Sequence, residues 1–259
     1  MATTDRVRQH YAGADLAERI LAAASAGGPV DVGSLAPYDQ LHVGGAPTTL
    51  HLLRLLGLEA RTALLDVGCG LGGPARIAAD RFGCPVTGVD LSPDFVAAGS
   101  VLTEHVGLSH LVRLEVGAAE QLPCEDASQD RAMMIHVGMN VPDKTAAFAE
   151  LHRVVRPGGL VGVHDQMRVG PGELTFPLPW AVDAETSFVE PPSAYEDALS
   201  AAGFAVLRVE DRRADVAERA DEHVERAVVF GATFLDRVAN LVAAARGGVV
   251  APVVVVACA

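Results

Sequence analysis

The segment LLDVGCGLGG at residues 64–73 constrains the fold more than any other part of the sequence. A short apolar run is followed by glycines at positions 68, 70, 72 and 73, and an amphipathic stretch begins at once. Glycine permits positive φ angles and lets a backbone approach a ligand closely. The segment therefore predicts a buried strand, a tight turn and a helix, with a ligand lying over the turn.

The sequence around this turn alternates short apolar runs with amphipathic segments, which is typical of α/β domains. We expect strands at 63–67, 85–89, 111–115, 130–136 and 159–165, and helices at about 73–82, 93–105 and 144–154. A tight turn at Pro157, Gly158 and Gly159 is expected before the fifth strand. Further on, we expect a helix at 193–202, a strand in FAVLRVED, a helical region around 214–245 and a last strand in VVVVACA.

Two segments outside this alternation carry different signals. Residues 14–25 have helical apolar spacing. The stretch that follows, up to Pro47, is rich in glycine and proline and predicts a loop or lid. Thr48–Leu58 predicts a helix. The proline-rich segment 168–192 interrupts the rhythm and predicts an insertion. We expect an N-terminal helical lid at 1–50 and a catalytic domain at 51–259 that carries this insertion on its substrate side.

Charge and composition exclude several classes of partner. The formal charge of −13, without a basic stripe, argues against nucleic acid, because an acidic surface repels a polyanion. The start MATTDRVRQHYAG lacks the apolar core of a signal peptide, and the apolar run 249–259 is too short to span a bilayer. We expect a cytoplasmic protein with no membrane partner and a small-molecule substrate; the sequence does not indicate an oligomeric state.

The cysteines give no metal-binding pattern. None of the four stands in a CxxC pair, which suits a reduced cytosol and offers no metal-site spacing. They are Cys69, Cys84, Cys124 and Cys258.

The glycine spacing by itself is ambiguous between two cofactors. Gly68, Gly70 and Gly73 fit the GxGxxG of dinucleotide sites, whereas Gly68, Gly70 and Gly72 fit the GxGxG of methyltransferases. Asp66 favours the second, because a carboxylate there opposes a pyrophosphate but suits a cationic amine or sulfonium. Asp90, at the end of the second strand, suits either cofactor as a partner of ribose hydroxyls, and an N-cap role is its structural alternative.

Four segments, in order and at suitable distances, resemble one family. They are LLDVGCGLGGPAR, VTGVDLSPDFV, AAEQLPCEDASQD and ELHRVVRPGGLV. From Leu64 to Gln166 the chain resembles class I S-adenosylmethionine-dependent methyltransferases, in particular the branch with ubiquinone/menaquinone-biosynthesis, sarcosine/dimethylglycine and tocopherol methyltransferases. YDQLHVGG and PPSAYEDALSAAGF extend the resemblance loosely. The fold expected is α/β, a Rossmann-like seven-stranded sheet, mostly parallel with an antiparallel last strand, with helices on both faces and an N-terminal helical lid.

The resemblance implies a site for S-adenosyl-L-methionine. The methionine portion would lie on Asp66, Gly68, Cys69, Gly70 and Gly72. Asp90 and Leu91 would hold the ribose and flank the adenine, and the ring would be bordered by Ala118, Ala119 and Glu120. Many relatives carry aspartate where this chain has Ala118, so backbone groups at Ala119 or Glu120 would have to replace that acid.

Candidates for the acceptor side follow the fourth and fifth strands. His136 is the leading catalytic base, with cofactor packing as its alternative, and Met139 and Asn140 emerge beside it. After the fifth strand, Gln166 or Asp165 is favoured as a substrate contact, against capping or solvent exposure. Trp180 could cover an apolar or cationic substrate, or belong to a satellite hydrophobic cluster.

The N-terminal segment supplies the last candidates. By resemblance, Tyr38, His42, Gly44 and Gly45 would close over the methyl donor. His42, His136 and His164 could meet as a metal site, but they lack the local pairing of a metal motif, so no metal is expected.

The sequence thus favours methylation of a small molecule, with an amine nitrogen slightly preferred over an oxygen or carbon of a quinone, phenol or natural-product scaffold. Two alternatives remain open. One is a nicotinamide-dependent oxidoreductase that uses the same glycines. The other is a methyltransferase-fold protein that binds ligand without methyl transfer, or that uses the pocket for another reaction such as a cyclisation.

Overall fold

The computed structural model describes residues 15–214, 231 and 233–259. Its seven strands are β1 Leu64–Val67, β2 Val86–Asp90, β3 Val112–Val116, β4 Gln129–Ile135, β5 Val155–Arg168, β6 Ala205–Asp211 and β7 Val250–Cys258. The helices are α1 Leu16–Ala24, α2 Val32–Asp39, α3 Gly45–Leu55, α4 Gly73–Phe82, α5 Pro93–His105, α6 Lys144–Val154, α7 Pro192–Ala201 and α8 Phe234–Arg246. Among the described residues, no helix is both long and apolar enough to cross a membrane.

All seven strands form one sheet in the order β3-β2-β1-β4-β5-β7-β6. Strands β1 to β5 run parallel to one another, and β7 is antiparallel to both β5 and β6. The predicted Rossmann-like sheet is therefore confirmed. The strand order reverses at β1, whose neighbours are β2 and β4, so the carboxyl ends of these three strands define the crevice where such sheets bind ligands.

Helices cover both faces of the sheet, as expected for strands that read as continuous apolar runs. On one face, Leu52 and Leu53 of α3 and Ala78 of α4 pack against the sheet. On the other, Phe148 and Leu199 of α6 and α7 do so. Both layers fix the strand ends from which the site is built.

The predicted helices at 73–82, 93–105 and 144–154 coincide with α4, α5 and α6. The turn predicted at Pro157, Gly158 and Gly159 does not mark the start of the fifth strand, because β5 already begins at Val155. The pairing of β5 with β4 is irregular here, with a register shift between Gln129 and Arg131 of β4. Gly158 takes φ +79° within that irregularity and donates its backbone N–H to the carbonyl of Ala259 at 2.8 Å. The turn is thus an irregularity inside an extended strand.

The loop expected before Pro47 is also wrong in part, because it contains α2 and the start of α3. Asp31 caps α2: its carboxylate accepts from the Ser34 N–H at 2.8 Å, and the Ser34 hydroxyl accepts from the Asp31 N–H at 2.9 Å. This reciprocal capping box starts a helix despite the neighbouring glycine and proline. Of the predicted segments, 1–14 and much of 214–245 lie outside the described residues.

The segment after β5 is irregular, apart from a short 3-10 turn at Ala184–Thr186 and a bridge between Leu178 and Ala181. It folds back onto the domain by burying Leu178 and Trp180 against Leu241 of α8. This placement brings residues 176–190 next to the segment between β4 and α6.

Candidate active site

A cavity of about 490 Å³ lies at the carboxyl edge of β1, β2 and β4. Its walls come from the glycine-rich turn, the starts of α4 and α5, the segments after β3 and β4, and the segment between α2 and α3. Eleven of the residues predicted for the site line it, namely His42, Gly68, Cys69, Gly70, Asp90, Leu91, Ala118, Ala119, Glu120, His136 and Asn140.

The glycine-rich turn needs its glycines for two different reasons. Gly68 takes φ +71°, and a Cβ there would overlap the side chain of Val137. Gly70 also has a positive φ, of +53°, and lines the cavity. Gly72, predicted to contact the cofactor, does not line the cavity; it is the N-cap of α4, and a Cβ there would lie 2.9 Å from Leu114.

Asp90 ties the turn to the end of β2. Its carboxylate accepts from the N–H of Gly70 at 2.7 Å and from the N–H of Ser92 at 2.8 Å. Ser92, and not Asp90, is the N-cap of α5. Burial raises the pKa of Asp90 above its usual value, although both amide contacts oppose this. Asp90 still lines the cavity, and carboxylate oxygens can accept further hydrogen bonds there.

Asp66 is almost fully buried beneath the same turn, and its Oδ2 atom has no hydrogen-bond partner. Burial and then the charge of Asp90 raise the pKa of Asp66 to about 8. A buried acid without a compensating charge is costly to ionise, so a cation bound at the turn would stabilise its charged form.

We expect Asp66→Asn to raise the melting temperature of the ligand-free protein, and to do so more at pH 9 than at pH 6. The raised folded-state pKa makes a stabilising contribution that is present at low pH and is lost as the pH rises through about 8. Asparagine does not titrate and avoids this loss. Thermal unfolding across that range tests the expectation, with the exposed Asp80→Asn as a control. A gain that does not depend on pH would contradict it.

The far end of the cavity is formed by the segment after β3. The N–H of Gly117 donates to the Asp90 carbonyl at 2.9 Å, and the N–H of Gln121 donates to the Ala118 carbonyl at 3.1 Å. Ala118, Ala119 and Glu120 all line the wall, so backbone groups are available where Ala118 lacks a carboxylate.

At the opposite end, the rings of His42, His136 and His164 converge. Their centroids are 5.8 Å apart for His42 and His136, 5.9 Å for His42 and His164, and 5.0 Å for His136 and His164. His136 takes φ +57° where β4 ends, and its N–H donates to the His164 carbonyl at 2.7 Å. A positive φ is uncommon for a side-chain-bearing residue and concentrates at functional sites.

His42 is held by residues of α3 and the segment before it. Its Nε2 lies 3.1 Å from Gln40 Oε1 and 2.9 Å from Thr49 Oγ1, and its Nδ1 lies 3.1 Å from the Val43 carbonyl. Although the three histidines meet, the described residues contain no group of His, Cys, Asp or Glu side chains arranged to hold a metal ion.

Asp165 is not placed for the predicted substrate contact. It accepts from the Tyr195 hydroxyl at 2.8 Å and from the Met139 N–H at 3.0 Å, inside the core beneath α7. Burial raises the pKa of Asp165 to about 7 against the opposing effect of Tyr195. His164 and Gln166 alternate to the other face of β5, and neither lines the cavity, so Gln166 does not reach it as the predicted substrate contact. Both are buried with side-chain polar atoms that lack hydrogen-bond partners.

Five other predicted residues lie away from the cavity wall. Met139 and Trp180 pack together in a satellite cluster, where the Trp180 indole donates to Ser187 at 3.0 Å. Tyr38 packs beside Leu71 and Phe95, and Gly44 and Gly45 begin α3. Asn140 does line the cavity, and its amide donates to the carbonyls of Trp180 at 2.9 Å and Thr186 at 3.1 Å.

Sequence reasoning missed a buried ion pair next to the site. Arg76 of α4 donates to Asp39 Oδ2 at 2.8 Å, to the carbonyls of Leu71 and Gly99, and to the Thr103 hydroxyl. Asp39 lines the cavity. An arginine in the otherwise apolar start of α4 was the available signal, because a buried arginine requires a partner.

The chain matches a family model described as "Methyltransferase domain" over residues 65–163. It is 39% identical over 108 residues to the 2-methyl-6-phytyl-1,4-hydroquinone methyltransferase of Synechocystis, covering 42% of this chain and 33% of that protein. The chain spans between 27% and 45% of the length of the first four curated relatives that it matches.

Several solved structures share the fold over nearly the whole chain. The [4+2]-cyclase SpnF has a TM-score of 0.74 and 25% identity, covering 99% of this chain and 97% of that one. The phosphoethanolamine N-methyltransferase 2 of Haemonchus contortus, solved with S-adenosyl-L-methionine, has a TM-score of 0.73 and 22% identity, covering 100% of this chain and 60% of that one.

Residues 65–163 are therefore a methyltransferase domain, which confirms the resemblance carried by the four sequence segments, and the Haemonchus contortus structure of the same fold binds S-adenosyl-L-methionine. The geometry fits that cofactor in three ways. The cavity runs past glycines at positive φ, Asp90 lines it, and the unpartnered Oδ2 of Asp66 lies beneath the turn.

Proposed function

We propose that this protein transfers the methyl group of S-adenosylmethionine to a small-molecule nucleophile by direct displacement. The observation that carries the proposal is one continuous cavity that joins the cofactor turn at Gly68–Gly70 to the side chains of His42, His136 and Asn140. A donor on the turn and an acceptor at the histidines would meet in this one cavity.

The cofactor supplies an electrophilic methyl group on a positively charged sulfur. The protein's part is to align the acceptor with that methyl group, to exclude water and, where the acceptor carries a proton, to remove it. Asp90 would hold the ribose, and the backbone from Ala118 to Glu120 would border the adenine. His136, fixed at the end of β4, is the proposed base, and His42 and Asn140 complete the acceptor wall.

The direct test is to incubate the purified protein with S-adenosylmethionine and a panel of phenols, hydroxyquinones and primary amines, and to follow S-adenosylhomocysteine by mass spectrometry. We expect at least one acceptor to give S-adenosylhomocysteine together with a methylated product. Binding of NAD, measured beside S-adenosylmethionine by calorimetry, is expected to be absent; tight NAD binding would support the oxidoreductase instead. If no member of the panel gave S-adenosylhomocysteine, the result would count against methyl transfer.

A second candidate is a cyclisation carried out in the same cavity without methyl transfer. The likeness to the [4+2]-cyclase SpnF over 99% of the chain favours it. In that case the protein would bind the cofactor but accumulate no S-adenosylhomocysteine, and a polyene substrate would be converted to a product of equal mass. The mass of the product separates the two functions.

A further inference from the structure

We propose that the imidazole cluster, defined as His42, His136 and His164, is the acceptor subsite and takes an acidic hydroxyl group, a phenol or enol, carried on an apolar scaffold. His136 is its proton acceptor and His164 is a positioning residue behind it. The inference rests on the proposed methyl transfer and names its acceptor class as oxygen.

The first observation is a pair of buried polar side chains that the fold itself does not satisfy. Neither nitrogen of His164 and neither polar atom of the Gln166 amide has a hydrogen-bond partner, although both side chains are at most 1% exposed. Such groups are destabilising, and each one in a native protein calls for an explanation. Gln166 follows His164 on the same face of β5, one two-residue step closer to the carboxyl edge of the sheet.

The second observation is how the cluster reaches the cavity. His42 and His136 line the wall, and His164 contacts both rings from behind, at 5.9 and 5.0 Å between centroids. The three rings come from three separate elements, so their meeting is a product of the tertiary fold. A ligand group placed against His136 is therefore backed by a second imidazole that has hydrogen-bonding capacity to spare.

The third observation is the local charge. Burial lowers the pKa of His164 well below its usual value, and the nearby His42, Arg212 and His51 lower it further. Glu210 offsets part of this field by pairing with His51 at 2.7 Å and Arg212 at 3.8 Å. Asp165 lies on the opposite face of β5, with its carboxylate bonded to Tyr195. His164 is therefore a neutral imidazole, with one nitrogen that can donate a hydrogen bond and one that can accept.

The carboxylates of the cavity are poorly placed to receive an ammonium substrate. Among the described lining residues, Asp39 is paired with Arg76, Asp90 binds the amides of the turn, and Glu120 borders the adenine end. The wall beside His136 is apolar, formed by Val137, Val141 and Pro142. An apolar body with one acidic hydroxyl matches this wall better than a charged amine does.

The proposed step balances in protons and electrons. The O–H bond of the acceptor breaks, its proton passes to an imidazole nitrogen of His136, and the electron pair stays on oxygen. That pair forms the new bond to the methyl carbon as the carbon–sulfur bond breaks, with its electrons going to sulfur. The imidazolium then returns its proton to solvent. His164 orients the His136 ring by packing against it, with the ring centroids 5.0 Å apart.

The test uses 4-nitrophenol as a probe on the full chain loaded with S-adenosylhomocysteine, because the phenolate has its own visible absorption band. We expect binding to lower the pKa of the bound probe by about one unit or more, as a positive neighbour does for an acid. The cationic analogue 4-nitrobenzylamine is expected to bind at least about tenfold more weakly.

The variants His164→Leu and Gln166→Leu separate recognition from folding. Because they replace unsatisfied buried polar groups with apolar ones, they should keep or raise the melting temperature and retain S-adenosylhomocysteine binding. His164→Leu should nevertheless lose the shift of the phenolate band, and each variant should bind the probe about tenfold more weakly or worse. The exposed His110→Leu is the matched control and should keep both properties.

Several results would overturn the inference. They are an unchanged or raised pKa of bound 4-nitrophenol, binding of the amine as tight as that of the phenol, or a phenolate shift that survives in His164→Leu. Its failure is distinguishable from that of the proposed function. If S-adenosylhomocysteine formed with amines alone, the hydroxyl acceptor class would be refuted and methyl transfer would stand. If the phenolate bound but no acceptor gave S-adenosylhomocysteine, methyl transfer would be refuted and the hydroxyl-binding subsite would stand.

Discussion

Replacing His136 with alanine is expected to lower kcat by about 100- to 10,000-fold, the usual range for loss of a positioned general base. The affinity for S-adenosylmethionine should remain nearly unchanged, because the turn and Asp90 do not depend on the imidazole. Single-turnover formation of S-adenosylhomocysteine and calorimetric titration of the cofactor measure the two quantities separately.

The backbone at this position requires a second variant. His136 takes φ +57°, which alanine adopts less readily than asparagine does. His136→Asn therefore removes the base with less backbone strain than His136→Ala does. It should lose activity to a similar degree. His110→Ala, at an exposed position, is the control. Full turnover in His136→Asn would show that the side chain is not the base.

The second large effect is expected on stability, from the buried ion pair between Asp39 and Arg76. Asp39→Ala should lower the free energy of unfolding by about 3–5 kcal/mol, because it leaves a guanidinium buried without its counter-charge. For a chain of this size, this corresponds to a fall in Tm on the order of 10 °C. The affinity for the cofactor should fall as well, since the same contact holds α2 against the turn at Gly73.

The double variant Asp39→Leu with Arg76→Met tests the cause of this loss. Removing both charges removes the desolvation penalty together with the attraction, so much of the stability should return. Asp80→Ala, which breaks the exposed contact of Asp80 with Arg81, should change the free energy of unfolding by no more than about 0.5 kcal/mol. Chemical denaturation of all three proteins measures these differences. A double variant no more stable than Asp39→Ala would contradict this account.

The ion pair also shows why local sequence patterns cannot predict every buried interaction. Arg76 and Asp39 are 37 positions apart, and neither sits in a pattern that names the other. Whether a charged residue is buried depends on what packs over it, which is decided by contacts between distant segments. The capping box at Asp31 and Ser34, in contrast, is local, and it could have been found from the sequence by the three-residue spacing of its two partners.

The sequence by itself determined the strand, turn and helix around Gly68, the bounds of α4 to α6, and the placing of Asp90 and His136 at strand ends. Hydrophobic periodicity and glycine spacing are local properties, and parallel strands bring their carboxyl ends to one edge. Tertiary structure alone decided which side chains share the cavity. It turned Asp165 into the core, packed Met139 and Trp180 in a satellite cluster, made Gly72 a packing residue, and brought His42, His136 and His164 within 6 Å of one another. A one-residue step along a strand reverses the face a side chain occupies, and a meeting of three elements depends on how all of them pack.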